Sequence, residues 1–312
     1  MGADQCDATV AGLDGLSTGV GEAGIVGKSP AALAGLDCAA VATAVGKPGL
    51  ELECYGCLES TNLLIKEAIR SQRQPGLVVC ALKQEGGYGR QGRTWVSPVG
   101  GLYTSLFVKP HQDIHQLPSL SPLTALAVVQ AVEDLMLDAG LDCQCMPAAP
   151  SIKWPNDVMV DGCKLCGISV ELVGNAVCLG FGVNLFEPAG SMDVGGKNTP
   201  TYLSRLLLRD DSVAGVDLTP AQREFAQKVL AALLKRFYGL FDRWDRGGFP
   251  AIRQEYVSRA TLVGQNVSMR NVSDDQITSG VVVGFDDQAQ LLLRKPSGEV
   301  LPVSYGEVHI LK

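Results

Sequence analysis

The chain has 312 residues and a formal net charge of −7, with 26 lysine and arginine residues against 33 aspartate and glutamate residues. Phosphate backbones are bound mainly by clustered lysine and arginine, so this balance argues against a nucleic-acid partner. No apolar run approaches the ~20 residues that cross a bilayer, and the first residues lack the basic and apolar segments of a secretory signal, so we expect a soluble, unsecreted protein without a membrane partner.

The ten cysteines include two CxxC pairs, Cys54/Cys57 and Cys163/Cys166. A zinc ribbon places its two pairs ~15–20 residues apart, whereas these lie about a hundred residues apart. Each pair also falls in predicted extended chain, where residues i and i+3 face opposite sides. We therefore expect reduced thiols, buried or on the surface, and no zinc site.

Length and composition predict the domain organisation. Single cores stop growing near ~250–300 residues, so a chain of this length is expected to form one large and one small domain. Residues 1–49 are rich in glycine, alanine, serine and threonine and contain no arginine. This composition predicts a weakly ordered N-terminal extension without a DNA-reading helix-turn-helix. We predict the large domain over residues 50–259 and the small domain over residues 260–312.

The large domain is predicted to be rich in strands. Residues 63–69 have helical spacing, and Ser60 or Thr61 in front of them would ordinarily be an N-cap. A second helix is predicted from Ser121 to about Asp138, with proline in its first turn and glycine beyond its end. Strands are predicted at Leu50–Leu58, Leu77–Leu82, Gly101–Val108, Ser151–Trp154, Asp157–Val160, Leu165–Val173 and Ala176–Leu185.

The remainder of the chain changes from helix to short strands. Thr219 and Pro220 predict the N-cap and first residue of the longest helix, which runs to about Trp244. A shorter helix is predicted over Pro250–Ser258. Short alternating runs separated by polar turns then predict a small β-barrel, at Gln265–Met269, Ile277–Phe285, Leu291–Arg294 and Val300–Val303.

One stretch, from Gln84 to Trp95, reads QEGGYGRQGRTW and is suited to binding an anion. Its glycines leave backbone amides bare, and Arg90 and Arg93 can point planar cationic groups into the same space. The pattern matches a GxGxxG dinucleotide fingerprint and nearly matches a P-loop, but both motifs must open a helix. Here the next residues are VSPVGG, which cannot continue a helix, so both interpretations are disfavoured.

Three further motifs favour a functional role for this stretch over a plain surface loop. Lys153–Asp157 reads KWPND, Lys164 begins the strand KLCGI, and Gly180–Asn184 reads GFGVN. Taken singly, such residues are more often a solvated lysine, a turn cap or a turn former. Their combination in this order is specific.

In the order Ser-Thr-Asn, glycine-rich arginine loop, KWPND, KxxGI and GxGxN, the sequence resembles the biotin protein ligases, also called holocarboxylase synthetases, over roughly residues 50–312. The resemblance implies an α+β fold. A mixed β-sheet catalytic domain flanked by helices, similar to class II aminoacyl-tRNA synthetases, would be followed by a small SH3-like C-terminal β-barrel. It implies that MgATP and biotin give biotinyl-5′-adenylate, from which a lysine of a carboxylase's biotin carboxyl carrier domain takes the biotinyl group.

The resemblance also implies roles for individual residues. The catalytic cations would be Arg90 and Lys164, because the reaction brings a carboxylate against a phosphate. The implied biotin-binding residues are Ser60, Thr61, Asn62, Gln84, Gly87, Tyr88, Gly89, Arg90, Lys164 and Gly167. The implied ATP and adenylate contacts are Arg93, Trp95, Lys153, Asn156, Asp157 and Asn184, with Asp157 also a candidate ligand of Mg²⁺.

Two positions depart from the family pattern. The family loop commonly reads Gly-Arg-Gly-Arg, whereas Tyr88 stands here at the first arginine position, so we expect the phosphate contact to depend more heavily on Arg90. Near the C-terminus, Leu311 stands where a basic residue often follows Gly306-Glu307. The sequence therefore does not decide whether the β-barrel contacts ATP.

Three alternative functions remain open at this stage. A lipoate or octanoyl ligase would share the fold, although KWPND beside the arginine loop favours biotin. A biotin-sensing repressor would need a winged helix-turn-helix before residue 50, which we do not expect. A non-catalytic biotin-binding protein would be consistent with the Tyr88 departure. The cytoplasm is the expected location, with an organellar form as the alternative.

Overall fold

Fourteen strands lie in the described residues of the protein, and the first nine are β1 (Glu51–Tyr55), β2 (Leu77–Ala81), β3 (Gly101–Val108), β4 (Ser151–Lys153), β5 (Asp157–Val160), β6 (Cys163–Val173), β7 (Ala176–Asn184), β8 (Glu187–Pro188) and β9 (Val213–Ala214). Seven of them form a mixed sheet in the order β1-β2-β3-β7-β6-β5-β4. Strands β1 and β2 pair in parallel, and the other neighbours in this sheet are antiparallel. The structure is a computed structural model, and it describes residues 35–89, 92–141, 149–189, 199–208, 213–270, 277–304 and 306–311.

Helices cover both faces of this sheet. The α-helices in the described residues are α1 (Cys38–Val45), α2 (Thr61–Arg70), α3 (Leu120–Asp138), α4 (Leu203–Leu207), α5 (Pro220–Gly247) and α6 (Arg253–Val257). The alternating side chains of β2 show the two faces: Val78 and Cys80 belong to the core that contains α3 and α5, whereas Val79 and Ala81 pack with α2. Because β2 is covered on both sides, it is a continuous apolar run.

The long helix α5 begins as the sequence predicts. Thr219 Oγ1 accepts a hydrogen bond from the Gln222 backbone N–H at 3.2 Å, and Gln222 Oε1 accepts one from the Thr219 N–H at 3.0 Å. With Pro220 as the first helical residue, this is a capping box.

Helix α3 and the 3₁₀ turn before it form a long apolar segment. The segment Ile114–Asp138 is long and apolar enough to cross a membrane by length and composition, but 72% of its apolar window is buried inside the protein. It therefore has the burial of a core helix, packed between the sheet and α5.

The C-terminal strands form a second, five-stranded sheet. They are β10 (Asn266–Arg270), β11 (Ile277–Phe285), β12 (Leu291–Arg294), β13 (Val300–Val303) and β14 (Glu307–Ile310). Their order is β13-β12-β11-β10-β14, with antiparallel neighbours throughout. This small antiparallel sheet confirms the predicted fold class, a mixed sheet flanked by helices and followed by a small SH3-like domain.

The prediction of a weakly ordered extension over residues 1–49 is wrong for its last part, and residues 1–34 lie outside the described residues. Helix α1 is capped by Asp37, whose side chain accepts from the Ala40 N–H at 2.9 Å. Lys47 Nζ lies 2.7 Å from Asp242 Oδ1 on α5. The helix is stabilised by contacts far along the chain, which composition does not reveal.

The described cysteines have different environments. Cys54 and Cys166 are buried, Cys57 is exposed and Cys163 is half-buried. Among the described residues, no group of three or more histidine, cysteine, aspartate or glutamate side chains is placed to hold a metal ion.

Candidate functional site

A cavity of about 740 Å³ lies against strands β3, β6 and β7 of the central sheet. It is bounded by the N-terminal end of α2, the glycine-rich stretch, strands β3, β6 and β7, the turn between β4 and β5, and part of β14. The residues that the sequence singled out are thus supplied by many separate elements. They meet because β6 and β7 pair with Gly167 opposite Gly182.

The N-terminal end of α2 provides a polar wall. Ser60 occupies the N-cap position, but its side chain makes no capping hydrogen bond and it lines the cavity instead. Thr61 donates its N–H and its hydroxyl to Gln84 Oε1 at 2.8 and 3.1 Å. Ser105 Oγ lies 2.6 Å from Asn62 Oδ1 and 2.7 Å from Thr61 Oγ1. These side chains are held in fixed orientations, as recognition of a polar ligand group requires.

The described parts of the glycine-rich stretch, residues 84–89 and 92–95, pair with each other as the two legs of a hairpin. The sequence predicts only that this stretch does not begin a helix. The Gly89 N–H donates to the Arg93 carbonyl at 2.8 Å, the Trp95 N–H donates to the Gly87 carbonyl at 3.0 Å, and Tyr88 pairs with Thr94 between them. A Cβ at Gly87 would lie 2.6 Å from the Trp95 carbonyl oxygen. Glycine is therefore required there for the two legs of the hairpin to approach.

Lys164 is the central cation of the cavity. Its Nζ lies 2.6 Å from Asp157 Oδ1, and the two side chains are only 18% and 13% exposed. The same ammonium lies 4.9 Å from the centre of the Trp95 ring. A cation between a carboxylate and an aromatic face is suited to receive an anionic, partly aromatic ligand.

Two glycines make room for the Trp95 indole. A Cβ at Gly167 would lie 2.9 Å from the six-membered ring, and a Cβ at Gly182 would lie 2.9 Å from Trp95 Nε1. That nitrogen is buried and has no hydrogen-bond partner among the described residues. Gly167 of KxxGI and Gly182 of GxGxN are therefore explained by packing, because a larger residue at either position would displace the indole.

The KWPND segment joins the cavity to the C-terminal sheet. Asn156 Nδ2 donates to the Ile168 carbonyl at 3.1 Å, and Lys153 lines the cavity beside it. The buried indole of Trp154 donates instead to the Ala289 carbonyl at 3.0 Å. Trp154 therefore stabilises the contact between the two sheets.

A second, smaller cavity of about 50 Å³ adjoins the first at Trp95 and Lys164 and is lined largely by aromatic rings and prolines. Asn184 lies in its wall and donates from Nδ2 to the Lys164 carbonyl at 3.1 Å. Burial raises the pKa of Tyr103, which lines both cavities, so its phenol stays protonated.

Most of the predicted site residues lie around the main cavity, namely Ser60, Thr61, Asn62, Gln84, Tyr88, Gly89, Arg93, Trp95, Lys153, Asn156, Asp157, Lys164 and Gly167. Asn184 lies at the smaller cavity, and Gly87 lies in the hairpin without lining either one. Arg90, the second predicted cation, lies outside the described residues.

The sequence reasoning missed several residues that line the cavity. Thr104 and Ser105 are polar residues inside β3, whose eight residues are all buried. A buried polar pair within an otherwise apolar strand is a signal that sequence reasoning can use. Val308 and His309 of the C-terminal sheet also line the cavity, and no local pattern marks them. Gly306, which lines it beside them, belongs to the turn that the family resemblance had already pointed to.

The fold and the site are those of a known class of protein. Residues 55–184, from β1 to the end of β7, match the biotin/lipoate A/B protein ligase family. The structure is similar to a biotin protein ligase from Aquifex aeolicus in complex with biotin and ATP, with a TM-score of 0.65 and 23% identity over 85% of this chain and 100% of that one. The likeness confirms the fold.

Relatives with similar sequences identify the family within this class. The chain is 34% identical over 233 residues to the biotin–[acetyl-CoA-carboxylase] ligase of Paracoccus denitrificans, covering 72% of this chain and 88% of the relative. It is 29% identical over 256 residues to the bifunctional ligase/repressor BirA of Bacillus subtilis, covering 80% of this chain and 71% of the relative. The chain belongs to the biotin protein ligase family.

Proposed function

We propose that this protein is an ATP-dependent ligase that activates biotin as biotinyl-5′-adenylate and transfers the biotinyl group to a specific lysine of biotin-dependent carboxylases. The observation that carries the proposal is the position of Lys164. Its ammonium lies beside Asp157 and the Trp95 indole, in the same cavity that the polar wall of α2 lines. That is where the carboxylate of an acid and the phosphate of a nucleotide would have to meet.

The first step joins two anions. A carboxylate oxygen of biotin attacks the α-phosphorus of ATP, the bond from that phosphorus to the bridging oxygen breaks, and pyrophosphate leaves. Lys164 Nζ, now on Asp157 Oδ1 at 2.6 Å, would turn toward the oxygens of the two reacting groups. A lysine suits this role because its flexible stem carries a compact charge, which offsets repulsion as the groups approach.

The second step needs no nucleophile from the enzyme. The amine of the acceptor lysine attacks the acyl carbon of the adenylate, the bond between that carbon and the phosphate oxygen breaks, and AMP leaves as the amine loses a proton. The protein's contribution is to hold the adenylate with its acyl carbon accessible.

We propose separate roles for the predicted residues at the two ends of the ligand. For the biotin end we propose the polar wall, the hairpin backbone and β6, which comprise Ser60, Thr61, Asn62, Gln84, Gly87, Tyr88, Gly89, Arg90, Lys164 and Gly167. For the adenylate end we propose Arg93, Trp95, Lys153, Asn156, Asp157 and Asn184. The fixed polar side chains of this wall support a polar ring such as a cyclic urea as ligand, since a buried polar group costs ~1–3 kcal/mol when it is left unpaired.

We include Mg²⁺ in the proposal, with Asp157 as its protein ligand. Asp157 is the one carboxylate among the described residues that line the cavity. A single carboxylate fits Mg²⁺, because this ion keeps several waters and is bound largely through substrate phosphates. When bound, the ion would supply positive charge to the phosphates that leave as pyrophosphate.

The proposed macromolecular partner is the biotin carboxyl carrier domain of a carboxylase, and the proposed location is the cytoplasm. Relatives of the chain are named as ligases that act on acetyl-CoA carboxylase, which supports a carrier domain as acceptor. The net charge of −7 is consistent with a protein that does not bind nucleic acid.

A comparison of acids in ATP–pyrophosphate exchange tests the choice of substrate. The protein is incubated with MgATP, labelled pyrophosphate and either biotin, lipoate or octanoate. We expect label to enter ATP with biotin and not with the other two acids. Exchange that prefers lipoate or octanoate would indicate the other branch of the family, and biotin binding without exchange would indicate a non-catalytic protein.

A further inference from the structure

Glu171, near the end of β6, accepts hydrogen bonds from side chains of the hairpin and of α2. The Tyr88 phenol donates to Glu171 Oε1 at 3.0 Å, and Asn62 Nδ2 donates to the same oxygen at 3.2 Å. Lys66 Nζ lies 2.7 Å from Glu171 Oε2, and the two side chains are 15% and 31% exposed. A partly buried carboxylate with a cation and two further donors is held in one orientation.

The aromatic ring of Tyr88 takes part in the same cluster. Lys66 Nζ lies 4.9 Å from the centre of the ring, so the lysine contacts both the tyrosine and its acceptor. Burial raises the pKa of the Tyr88 phenol and the nearby Glu171 raises it further, although Lys66 acts in the opposite direction. The phenol therefore keeps its proton at neutral pH and stays a donor.

The contact joins parts of the site that are far apart in sequence. Tyr88 lies on one leg of the hairpin, paired with Thr94, and the next residue on that opposite leg is Trp95. Glu171 lies on the strand that carries Lys164 and Gly167. A tie between Tyr88 and Glu171 thus fixes the spacing between the hairpin and the β6 wall of the cavity.

We propose that Tyr88 is a positioning residue that holds the stem of the hairpin against β6 through Glu171, with Lys66 holding Glu171 in place. The proposal rests on the function proposed above and adds a role for a side chain at the position where this chain departs from the family's arginine. Tyrosine keeps a donor for Glu171 there without adding a further cation to the cavity. Removal of the phenolic oxygen would let the stem separate from β6, and the adenylate between them would dissociate faster.

Release of the adenylate is the readout for this proposal. Biotinyl-adenylate is formed on the protein with labelled ATP, unlabelled biotin and ATP are added in excess, and the loss of bound label is followed with time. We expect Tyr88→Phe to release the label about tenfold faster, because a hydrogen bond to a charged acceptor is lost. Tyr88→Arg should stay within about twofold of the wild type, since arginine can also donate to Glu171. Release from Tyr88→Phe at the wild-type rate would overturn the proposal, as would equally fast release from Tyr88→Arg.

A matched control separates this effect from the loss of any buried tyrosine hydroxyl. The Tyr55 phenol donates to Glu53 Oε2 at 2.7 Å on β1, away from the cavity. Tyr55→Phe removes the same chemical group from the same kind of acceptor and should leave the release rate unchanged. Faster release from Tyr55→Phe, to the same degree as from Tyr88→Phe, would mean that the effect is general destabilisation.

A double-mutant cycle tests whether Tyr88 acts through Glu171. In a Glu171→Ala background, Tyr88→Phe should add less than about twofold to the release rate, because the acceptor is already absent. A further tenfold increase in that background would overturn the proposed route. A wild-type protein that forms no adenylate would contradict the proposed function, whereas adenylate released equally by all variants would contradict only the role of Tyr88.

Discussion

Lys164 Nζ lies 2.6 Å from Asp157 Oδ1 inside the main cavity. Asp157 is the first residue of β5, and Lys164 is the second residue of the neighbouring strand β6. The tight turn between the two strands therefore holds the pair together before any ligand binds. In the proposed reaction, an incoming carboxylate or phosphate would compete with Asp157 for the same ammonium.

The position of Lys164 predicts a large effect on adenylate formation. Lys164→Ala removes the described cation closest to the proposed meeting point of carboxylate and phosphate. We expect the rate of biotin-dependent ATP–pyrophosphate exchange to fall by ~10²–10³-fold, as when one preorganised charge or donor is removed from a reaction centre.

Cys163→Ser is the control for Lys164→Ala. Cys163 precedes Lys164 on β6, is half-buried and does not line the cavity. Its replacement by serine should leave exchange nearly intact. Equal losses in Cys163→Ser and Lys164→Ala would contradict the role assigned to the ammonium.

The packing around the Trp95 indole predicts that Gly182→Ala weakens nucleotide binding. The added Cβ would lie 2.9 Å from Trp95 Nε1, so the indole must move or the strand must shift. We expect the KM for ATP to rise about tenfold, with a smaller change in the KM for biotin.

Gly239→Ala is the matched control, because a Cβ at Gly239 in α5 would meet no atom within 4 Å. Alanine inside a helix should stabilise the protein by ~0.5–1 kcal/mol and leave both KM values unchanged. Acrylamide quenching reports on the indole directly, because Trp154 and Trp244 are buried. Unchanged quenching and an unchanged KM for ATP in Gly182→Ala would contradict the packing argument.

Glu255 predicts a pH-dependent contribution to stability. Arg243 Nη2 donates to Glu255 Oε1 at 2.6 Å and Gln130 Nε2 donates to Oε2 at 2.7 Å, and chiefly the Arg243 contact lowers the pKa of Glu255 below its ordinary value of 4.5. Because the folded pKa is the lower one, the ionised carboxylate stabilises the fold above pH 4.5, and this contribution is lost as the pH falls through the folded pKa.

Thermal unfolding of Glu255→Gln checks this sign. At pH 7 we expect a loss of less than ~1 kcal/mol, limited by solvent screening of a pair that is more than a third exposed. At a pH well below 4.5 we expect the difference from the wild type to be smaller, because the wild-type carboxylate is progressively protonated. Glu224→Gln is the control, since the Glu224–Lys228 pair is about two-thirds exposed and should matter at neither pH. An equal loss at both pH values in Glu255→Gln would contradict the assignment.

The burial of the thiols predicts a pattern of alkylation. Burial, with a smaller effect of nearby Glu171, raises the pKa of Cys178 to about 12, and Cys166 is fully buried with a raised pKa. Iodoacetamide at pH 8 should modify the exposed Cys57 and leave these two thiols unmodified until denaturant is added. Peptide mapping by mass spectrometry measures this, and modification of Cys178 as fast as Cys57 in the native protein would contradict the described burial.

Much of the fold could be predicted because its signals are local. The capping box at Thr219 and Gln222 is contained in four residues. The hairpin between Gly87 and Trp95 could be distinguished from a phosphate-binding helix start because VSPVGG follows it. Strand β2 has apolar residues throughout because it is covered on both faces. In each case the sequence within about ten residues determines the local structure.

The parts that could not be predicted depend on contacts between residues that are distant in sequence. Helix α1 forms where Asp37 and Lys47 meet side chains of α5, nearly two hundred residues later. Ser60 has the position of a helix cap but lines the cavity, and only the fold distinguishes these roles. The acceptor of the Tyr88 phenol, Glu171, lies on another strand, and neither residue indicates the other.

The most direct measurement of the central claim is the intact mass of an acceptor. The protein is incubated with MgATP, biotin and a purified biotin carboxyl carrier domain. We predict that the domain gains the mass of one biotinyl group, and that it gains none when its acceptor lysine is replaced by arginine, when ATP is omitted or when the enzyme carries Lys164→Ala. An acceptor whose mass does not change with the wild-type protein, MgATP and biotin would contradict the assignment of this chain as a biotin protein ligase.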